Sequence, residues 1–300
     1  MANRILSIII VNYNSLEYLV HCIESIFQNP PNFDYEIIIV DNASTDDSIK
    51  KLKLDYSHLK VILNTENKGF AYANNQAINL AEGKYIMLLN PDTLVLESSI
   101  DNMFSFMEKN NEVGIVGPMI INADGTFQPQ CKRGFPTPSS VLSYFLCLHK
   151  IFPKNKTFGK YLLTYLDQNE LNEVDSVSGA CMFVRRQVFK EVGLLDEDYF
   201  MFGEDIDLCF RAKQKGWKIC YFPVSKIVHL GGHGGTFSRP FKTTYNFFKS
   251  AHLYYKKNLS HKYNFLFNFI IYFGIWALFL LILFRNFIFR NRYAFTKKPS

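Results

Sequence analysis

A chain of 300 residues is too long for a minimal domain and suits one large α/β domain with an appendage. It is 48% hydrophobic and 16% aromatic, more than a soluble core needs, and its net charge is +6. Much of the excess base sits in the last third (Lys249, Lys256, Lys257, Lys262, Arg285, Arg290, Arg292) beside apolar residues, which points to an anionic membrane surface before nucleic acid. The six cysteines show no paired spacing and read as reduced thiols of a cytosolic compartment, and no signal peptide is expected ahead of residue 5.

Residues 5–11 form a continuous apolar run rich in β-branched side chains, which predicts a strand buried on both faces. Asn12-Tyr13-Asn14-Ser15 breaks it, with Ser15 placed to cap a helix over 16–27 that stops at Asn29-Pro30-Pro31. A second buried strand, 36–40, ends in Asp41-Asn42-Ala43-Ser44-Thr45-Asp46, turn and cap chemistry that leads into another helix. A short third strand (60–63) is followed by the loop Asn67-Lys68-Gly69-Phe70 and a helix over 71–81. A fourth strand (84–89) ends at Asn90-Pro91-Asp92-Thr93. Four strand–helix alternations predict a parallel sheet with right-handed crossovers, whose ligand lies beyond the carboxyl ends of the strands. The polar turns gather at that edge, each expected to open a helix whose N–H groups face an anion. A G-x-G-x-x-G fingerprint and a phosphate loop are both missing, which argues against a hydride-transfer enzyme and an ATPase.

Farther on, residues 114–118 read as a fifth strand, and Asn122-Ala123-Asp124-Gly125 is a hairpin signal. The apolar stretch 141–148 is too short to span a bilayer and reads as a core helix, with an interfacial segment near an acceptor as the alternative. A strand over 175–184 is interrupted by Ser178-Gly179-Ala180, small side chains that would let a substrate approach the backbone. After a short helix ending at Gly193, three carboxylates crowd into four positions, Glu204, Asp205 and Asp207, at the start of a helix over 204–215. Asp207 and Arg211 at i, i+4 read as a helix-surface ion pair, while Glu204 and Asp205 complement the helix dipole. A strand over 218–222 precedes a glycine-histidine loop that begins at His229 and contains His233. Two carboxylate sites and an imidazole are what a metal-assisted transfer with a general base requires. Residues 265–284 are nearly continuous apolar side chains, long enough to cross a bilayer or to lie on its inner leaflet.

Taken together, the chain resembles glycosyltransferase family 2, and most closely its rhamnosyltransferase-like members that build bacterial surface polysaccharides. The matching blocks include residues 7–14, 40–46, Asn67 to Ala71 with Asn74, Leu88-Leu89-Asn90-Pro91-Asp92, Val177 to Ala180, Gly203 to Leu208 and His229 to Gly232. The resemblance implies an α/β GT-A fold with a mostly parallel central sheet, a nucleotide-diphosphate sugar as donor, a divalent metal and inversion at the anomeric carbon. It also implies roles. Tyr13 and Asp41 would contact the base and ribose, and Lys68 and Gly69 would line the nucleotide side of the cleft; Asn14 and Asn74 complete the donor set. Asp92 looks like the acid of the family's metal motif. Asn90 stands where that motif has its first acid, so His229 becomes the natural second ligand of Mg²⁺ or Mn²⁺, and His233 a weaker one. Asp205 looks like the general base, with Glu204 orienting it or holding the acceptor sugar.

The expected organisation is a catalytic domain over 1–240 (nucleotide-binding half 1–118, acceptor and catalytic half 119–240) and a helical, membrane-associated tail over 241–300. The expected place is the cytoplasmic face of a bacterial plasma membrane, with a glycan or lipid-linked acceptor and no nucleic acid. A nucleotidyltransferase is the rival enzyme reading, opposed by the missing basic glycine loop after the first strand. A membrane-tethered nucleotide-sugar-binding protein without catalysis is the rival from another class, and Asn90 is the feature that favours it.

Overall fold

A computed structural model describes residues 4–46, 56, 59–231 and 240–288. In chain order the elements are β1 (Leu6–Asn12), α1 (Leu16–Gln28), β2 (Tyr35–Asp41), β3 (Lys60–Leu63), α2 (Phe70–Leu80), β4 (Tyr85–Leu89), β5 (Thr93–Val95), α3 (Ser99–Lys109) and β6 (Val113–Ile121). They continue with β7 (Lys132–Arg133), α4 (Pro138–Phe145), α5 (Leu148–Ile151), β8 (Asn172–Glu173), β9 (Ser176–Val177), β10 (Cys181–Arg185), α6 (Arg186–Val192), α7 (Glu204–Gln214), β11 (Lys218–His229), α8 (Pro240–Asn258) and α9 (Phe265–Ile288). The helix expected after Asp46, and His233 with its glycine neighbours, lie outside the described residues.

One sheet organises the molecule, with strand order β3-β2-β1-β4-β10-β6-β11-β5 and β8 beside β11. The first four strands are mutually parallel, as their alternation with helices predicts. Beyond β4 the sheet is mixed: β10 runs antiparallel to both β4 and β6, and β5 antiparallel to β11. Every residue of β1 is buried because the sheet is covered on both faces. Alternate side chains feed two cores: Leu6, Ile8 and Ile10 meet Leu19, Ile23 and Ile26 of α1 and Met103 of α3. Ile9 and Val11 meet Ala73 and Ala77 of α2, in the cluster that also takes Leu208 and Ala212 of α7.

Three local expectations are corrected. Ser15 occupies the position before α1, but its hydroxyl donates to Asn12 Oδ1 (2.8 Å), and the first helical N–H, at Leu16, finds Asp46 Oδ2 (3.3 Å) instead. The Asn90–Asp92 turn opens β5, not a helix; at α2 the first N–H is already spent on Phe200 O (2.8 Å). The 141–148 stretch is no core helix. It divides into α4 and α5, burying Ser140, Ser143 and His149 while Leu142 and Leu146 face outward.

Nor is Asp207–Arg211 a surface pair. Asp207 is buried; its Oδ2 accepts from Arg211 Nε (2.7 Å) and its Oδ1 from Asn258 Nδ2 of α8 (3.0 Å). Arg211 also donates to the carbonyls of Val192 and Leu194 after α6. This strut joins α6, α7 and α8, and Ser250 Oγ of α8 donates to Met201 O (3.0 Å) just before α7. Thus α8 is docked onto the acidic helix. In turn α9 folds back along α8. Near the turn, Asn268 accepts from Tyr255 OH (2.6 Å) and donates to Ser260 O (3.0 Å); farther along, Trp276 meets His252 and Phe279 meets Phe248. Asp207→Ala should lower the melting temperature by roughly 6–12 °C, because one partner of a buried pair removed costs about 3 kcal/mol in a domain this large. Thermal unfolding checks it; a melt unchanged from wild type would mean that the strut carries no load.

Candidate active site

The polar residues at the sheet edge are first of all a scaffold for one another. Asp41 is buried, with Oδ1 accepting from Asn12 Nδ2 (2.8 Å) and Oδ2 from Ser44 N (2.9 Å). Asn14 adopts a left-handed backbone (φ 51°), and its Oδ1 accepts from Thr45 N (2.7 Å), which clamps the first turn to the second. Tyr13 is half-buried beside it. Asn42 binds Asn67 Oδ1 (3.0 Å) and Gly69 O (3.1 Å), so the third turn hangs on the second. Gly69 takes φ +103°, and an added Cβ would stand 2.6 Å from Phe200 O; the close approach here is made by the chain itself. Lys68 is half-exposed over the Tyr72 ring (5.1 Å) and pairs with Glu66 (3.2 Å), which raises its pKa. Asn74 is buried and donates to Phe70 O (2.9 Å), bracing the first turn of α2.

Two polar clusters are drawn together by the chain between β9 and β10, and a third joins through Phe200. At Ala180 the carbonyl accepts from Asn90 N (3.0 Å), fixing the Asn90–Asp92 turn. At Gly179 the N–H donates to Asp205 Oδ2 (2.9 Å), fixing the acidic helix. The space over Gly179, which small side chains would open to a substrate, is filled by Asp205, whose Cβ lies 3.3 Å from where a Gly179 Cβ would be. Phe200, just before α7, closes the ring by holding Gly69 and Phe70.

The Asp92–His229 contact follows from strand register. β5 pairs antiparallel with β11, setting His229 opposite Thr93, and Leu230 N donates to Asp92 O (2.9 Å). His229 Nε2 then lies 3.3 Å from the buried Asp92 Oδ1. Gln128 sets the tautomer: its amide nitrogen donates to Asn122 Oδ1 and to His229 O (both 2.7 Å), so its oxygen is the atom facing His229 Nδ1 at 3.1 Å. Nδ1 must therefore carry a proton, and with that proton alone the ring would turn a lone pair toward a carboxylate. Two acceptors at that range require a positive charge between them or a second ring proton. Cis ligands of an octahedral ion with bonds of about 2.1 Å stand about 3 Å apart, so the pair fits Mg²⁺ or Mn²⁺, and an imidazole with a carboxylate is a donor set that such ions accept. No group of three or more candidate ligands occurs among the described residues.

The acidic helix begins where Phe202 (φ 69°) and Gly203 (φ 87°) turn the chain left-handed. Asp205 is buried and bound on both oxygens: Oδ2 by Arg133 Nη2 and Gly179 N, Oδ1 by Ile206 N (2.8 Å). Arg133 also reaches Val177 O (3.1 Å), and Tyr161 borders it. Arg133 and Gln128 were invisible in the sequence, since each acts on a residue 72 or 101 positions away and neither belongs to a motif. Glu204 is as buried as Asp205, but its Oε2 has no hydrogen-bond partner. Burial, and then the charge of Asp205, push its carboxyl well above the ordinary carboxylate range. Neighbouring carboxyls are thereby given unlike roles: one held by donors, the other favoured in its protonated form.

This fold is that of GT-A glycosyltransferases. A mannosyltransferase (PcManGT) from Pyrobaculum calidifontis, solved with GDP-Man and Mn²⁺, superposes with a TM-score of 0.57 at 15% identity, over 84% of this chain and 64% of that one. The model of Glycosyl transferase family 2 matches residues 7–193, and the chain belongs to that family. It is 29% identical over 209 residues to an N-acetylglucosaminyl-diphospho-decaprenol L-rhamnosyltransferase of Mycobacterium tuberculosis, covering 66% of this chain and 67% of the relative. To the rhamnosyltransferase WbbL of Escherichia coli K12 it is 27% identical over 248 residues, 78% of this chain and 88% of that protein. The family match contains Tyr13 to Asp92 and stops short of Glu204, Asp205 and His229.

Glu204→Gln tests the buried carboxyl. In the unfolded chain it ionises near its ordinary 4.5, whereas in the fold it keeps its proton to higher pH. The unfolded state therefore sheds this proton first, and wild-type stability should fall as pH rises above about 4.5, by at most about 1.4 kcal/mol per pH unit. The Gln variant lacks that slope. Its melting temperature should match wild type near pH 4 and exceed it progressively toward pH 8; parallel curves for the two proteins would contradict the assignment.

Proposed function

We propose that the chain is an inverting, metal-dependent glycosyltransferase that moves a sugar of the rhamnose type from a nucleoside-diphosphate donor to a hydroxyl of a lipid-linked glycan. The observation that carries this reading is the presence of two distinct polar centres, Asp92 with His229 and Asp205 with Arg133, linked through the adjacent residues Ala180 and Gly179. Tyr13, Asn14 and Asp41, with Lys68, Gly69 and Asn74, form the donor wall beyond the carboxyl ends of β1, β2 and β3. Base and ribose lie against Tyr13 and Asp41, and Lys68 supplies positive charge on the nucleotide side.

Asp92 and His229 would hold the cation, which supplies charge compensation to the departing diphosphate. Gln128 keeps the imidazole in the tautomer that leaves Nε2 free for that task. On the opposite side Asp205 accepts the proton of the acceptor hydroxyl as its oxygen forms the new bond to C1, while the C1–O bond to the nucleoside diphosphate breaks. Arg133 and Gly179 orient Asp205 Oδ2. Glu204, protonated, donates a hydrogen bond to the acceptor sugar. The rhamnose-type donor and the lipid-linked acceptor are supported by the names of the two bacterial relatives.

The membrane assignment rests on α9. Residues Phe265–Asn286, 22 in number, are apolar and long enough to cross a bilayer. Yet α9 is paired along its length with α8, which carries four lysines and is docked on α7. That pairing favours a helix lying in the interface, its outer face of Leu266, Phe269, Ile270, Phe273, Leu280 and Phe284 turned to lipid on the cytoplasmic side.

Asp205→Asn decides the catalytic part. The loss should appear in kcat, by roughly 10²–10⁴-fold for a missing general base, with nucleoside-diphosphate binding and fold retained. A panel of nucleotide sugars that includes rhamnose, read by sugar transfer and by calorimetry, supplies both numbers. Wild-type protein that binds donor and transfers nothing would instead support a binding protein without catalysis.

A further inference from the structure

The helical pair α4 and α5 is built inside out. Its polar side chains Ser140, Ser143 and His149 are buried, while Leu142, Leu146, Ile151 and Phe152 are 60%, 58%, 64% and 49% exposed. A soluble surface element distributes these the other way, so the outward leucines are an unpartnered apolar face. The fold nonetheless fixes the pair firmly. Thr137 and Ser140 form a capping box at the start of α4, and Ser140 Oγ donates to Phe135 O (3.1 Å). Tyr144 stacks on His149 (5.1 Å) and meets Tyr161 edge-on (5.2 Å).

Charge identifies what covers the face. Between Asp124 and Asp167 the chain has no carboxylate at all, whereas Lys150, Lys154, Lys156 and Lys160 stand exposed on and just after α5. Exposed apolar side chains followed along the chain by four exposed lysines, in a stretch without a carboxylate of its own, match an anionic lipid surface, where each lysine adds attraction and each apolar side chain enters the acyl boundary. Position agrees with that occupant. Tyr144 touches Tyr161, Tyr161 borders Arg133, and Arg133 binds Asp205, so the face lies a few side chains from the acceptor side of the cleft. Phe135, which leads into α4, packs with Phe210 in the cluster that also receives Ile271 and Tyr272 of α9.

We propose that the α4–α5 pair is a second membrane contact, separate from α9, which seats the acceptor side of the site on anionic lipid. The inference rests on the reading of a lipid-linked acceptor given above and adds the surface that presents it. It predicts that the site is turned toward the bilayer at two points, not tethered loosely at one.

Cys147 makes the test direct, because it lies between the two helices and is the exposed cysteine while the other five are buried. The full chain, labelled there with an environment-sensitive dye, is mixed with phosphatidylcholine vesicles with or without phosphatidylglycerol, each carrying shallow doxyl lipid. The expected result is a blue-shifted, quenched label on the phosphatidylglycerol vesicles and weaker quenching without that lipid. Ile151→Ser with Phe152→Ser, and separately Lys154→Glu with Lys156→Glu, should abolish most of the quenching while nucleotide binding persists. A parallel label at Leu280→Cys, in a Cys147→Ser background, reports α9 alone. Quenching at position 280 without quenching at 147 overturns the second contact and leaves the tether standing. No quenching at either position overturns both. A blue shift at 147 that is not quenched and grows with protein concentration marks a protein partner and overturns the proposal as well.

Discussion

Asp92 Oδ1 and His229 Nε2 stand 3.3 Å apart, a contact that requires either a ring proton or a cation between them, and the sheet holds them there. The register of β5 on β11 sets the distance, and the two hydrogen bonds donated by the Gln128 amide set the tautomer. Neither constraint is local to the acid or to the imidazole. The rest of the cleft is arranged around this pair: the Asn90–Asp92 turn leans on Ala180, the neighbouring Gly179 holds Asp205, and Phe200 before the acidic helix holds the Gly69 loop. The Asp92–His229 pair and Asp205 are thereby positioned largely through backbone contacts.

Asn90 gains its meaning from the same geometry. Where a metal motif has two acids, the loss of one would leave a lone carboxylate; here the imidazole of His229 is already at the distance a second ligand occupies. Its backbone still does the structural work of the turn, with N–H to Ala180 and carbonyl to Thr93 Oγ1 (2.7 Å). An asparagine at this position thus keeps the turn intact.

The parts of this molecule that were legible in the sequence are those written in short range. Continuous apolar runs revealed β1, β2 and β4, since burial on both faces leaves no polar alternation, and the Asx-rich breaks after them marked the edge where the polar turns gather. The acidic start of α7 was equally plain. What escaped is whatever depends on distant partners. Arg133 sits in a two-residue strand with nothing to mark it, and Gln128 lies beside a hairpin. Asp207–Arg211 has the spacing of a surface pair and is buried only because α8 folds over it. The 141–148 stretch misled because apolarity alone does not say which way a helix faces; Ser143 and the flanking Ser140 and His149, not Leu142 and Leu146, point inward. That α8 packs on α7 as well as on α9 was hidden for the same reason, as its basic and aromatic composition does not say which partners it meets.

The most direct measurement is of the nitrogen on the cation. Full-length protein is loaded with Mn²⁺ and a nucleoside diphosphate, and the electron-nuclear couplings of the ion are recorded with natural and ¹⁵N-histidine-labelled protein. The account predicts a directly bonded histidine nitrogen whose coupling changes with the isotope and vanishes in His229→Ala, together with weaker Mn²⁺ binding in Asp92→Ala. A bound Mn²⁺ with no histidine coupling, or one whose coupling survives the loss of His229, would contradict it.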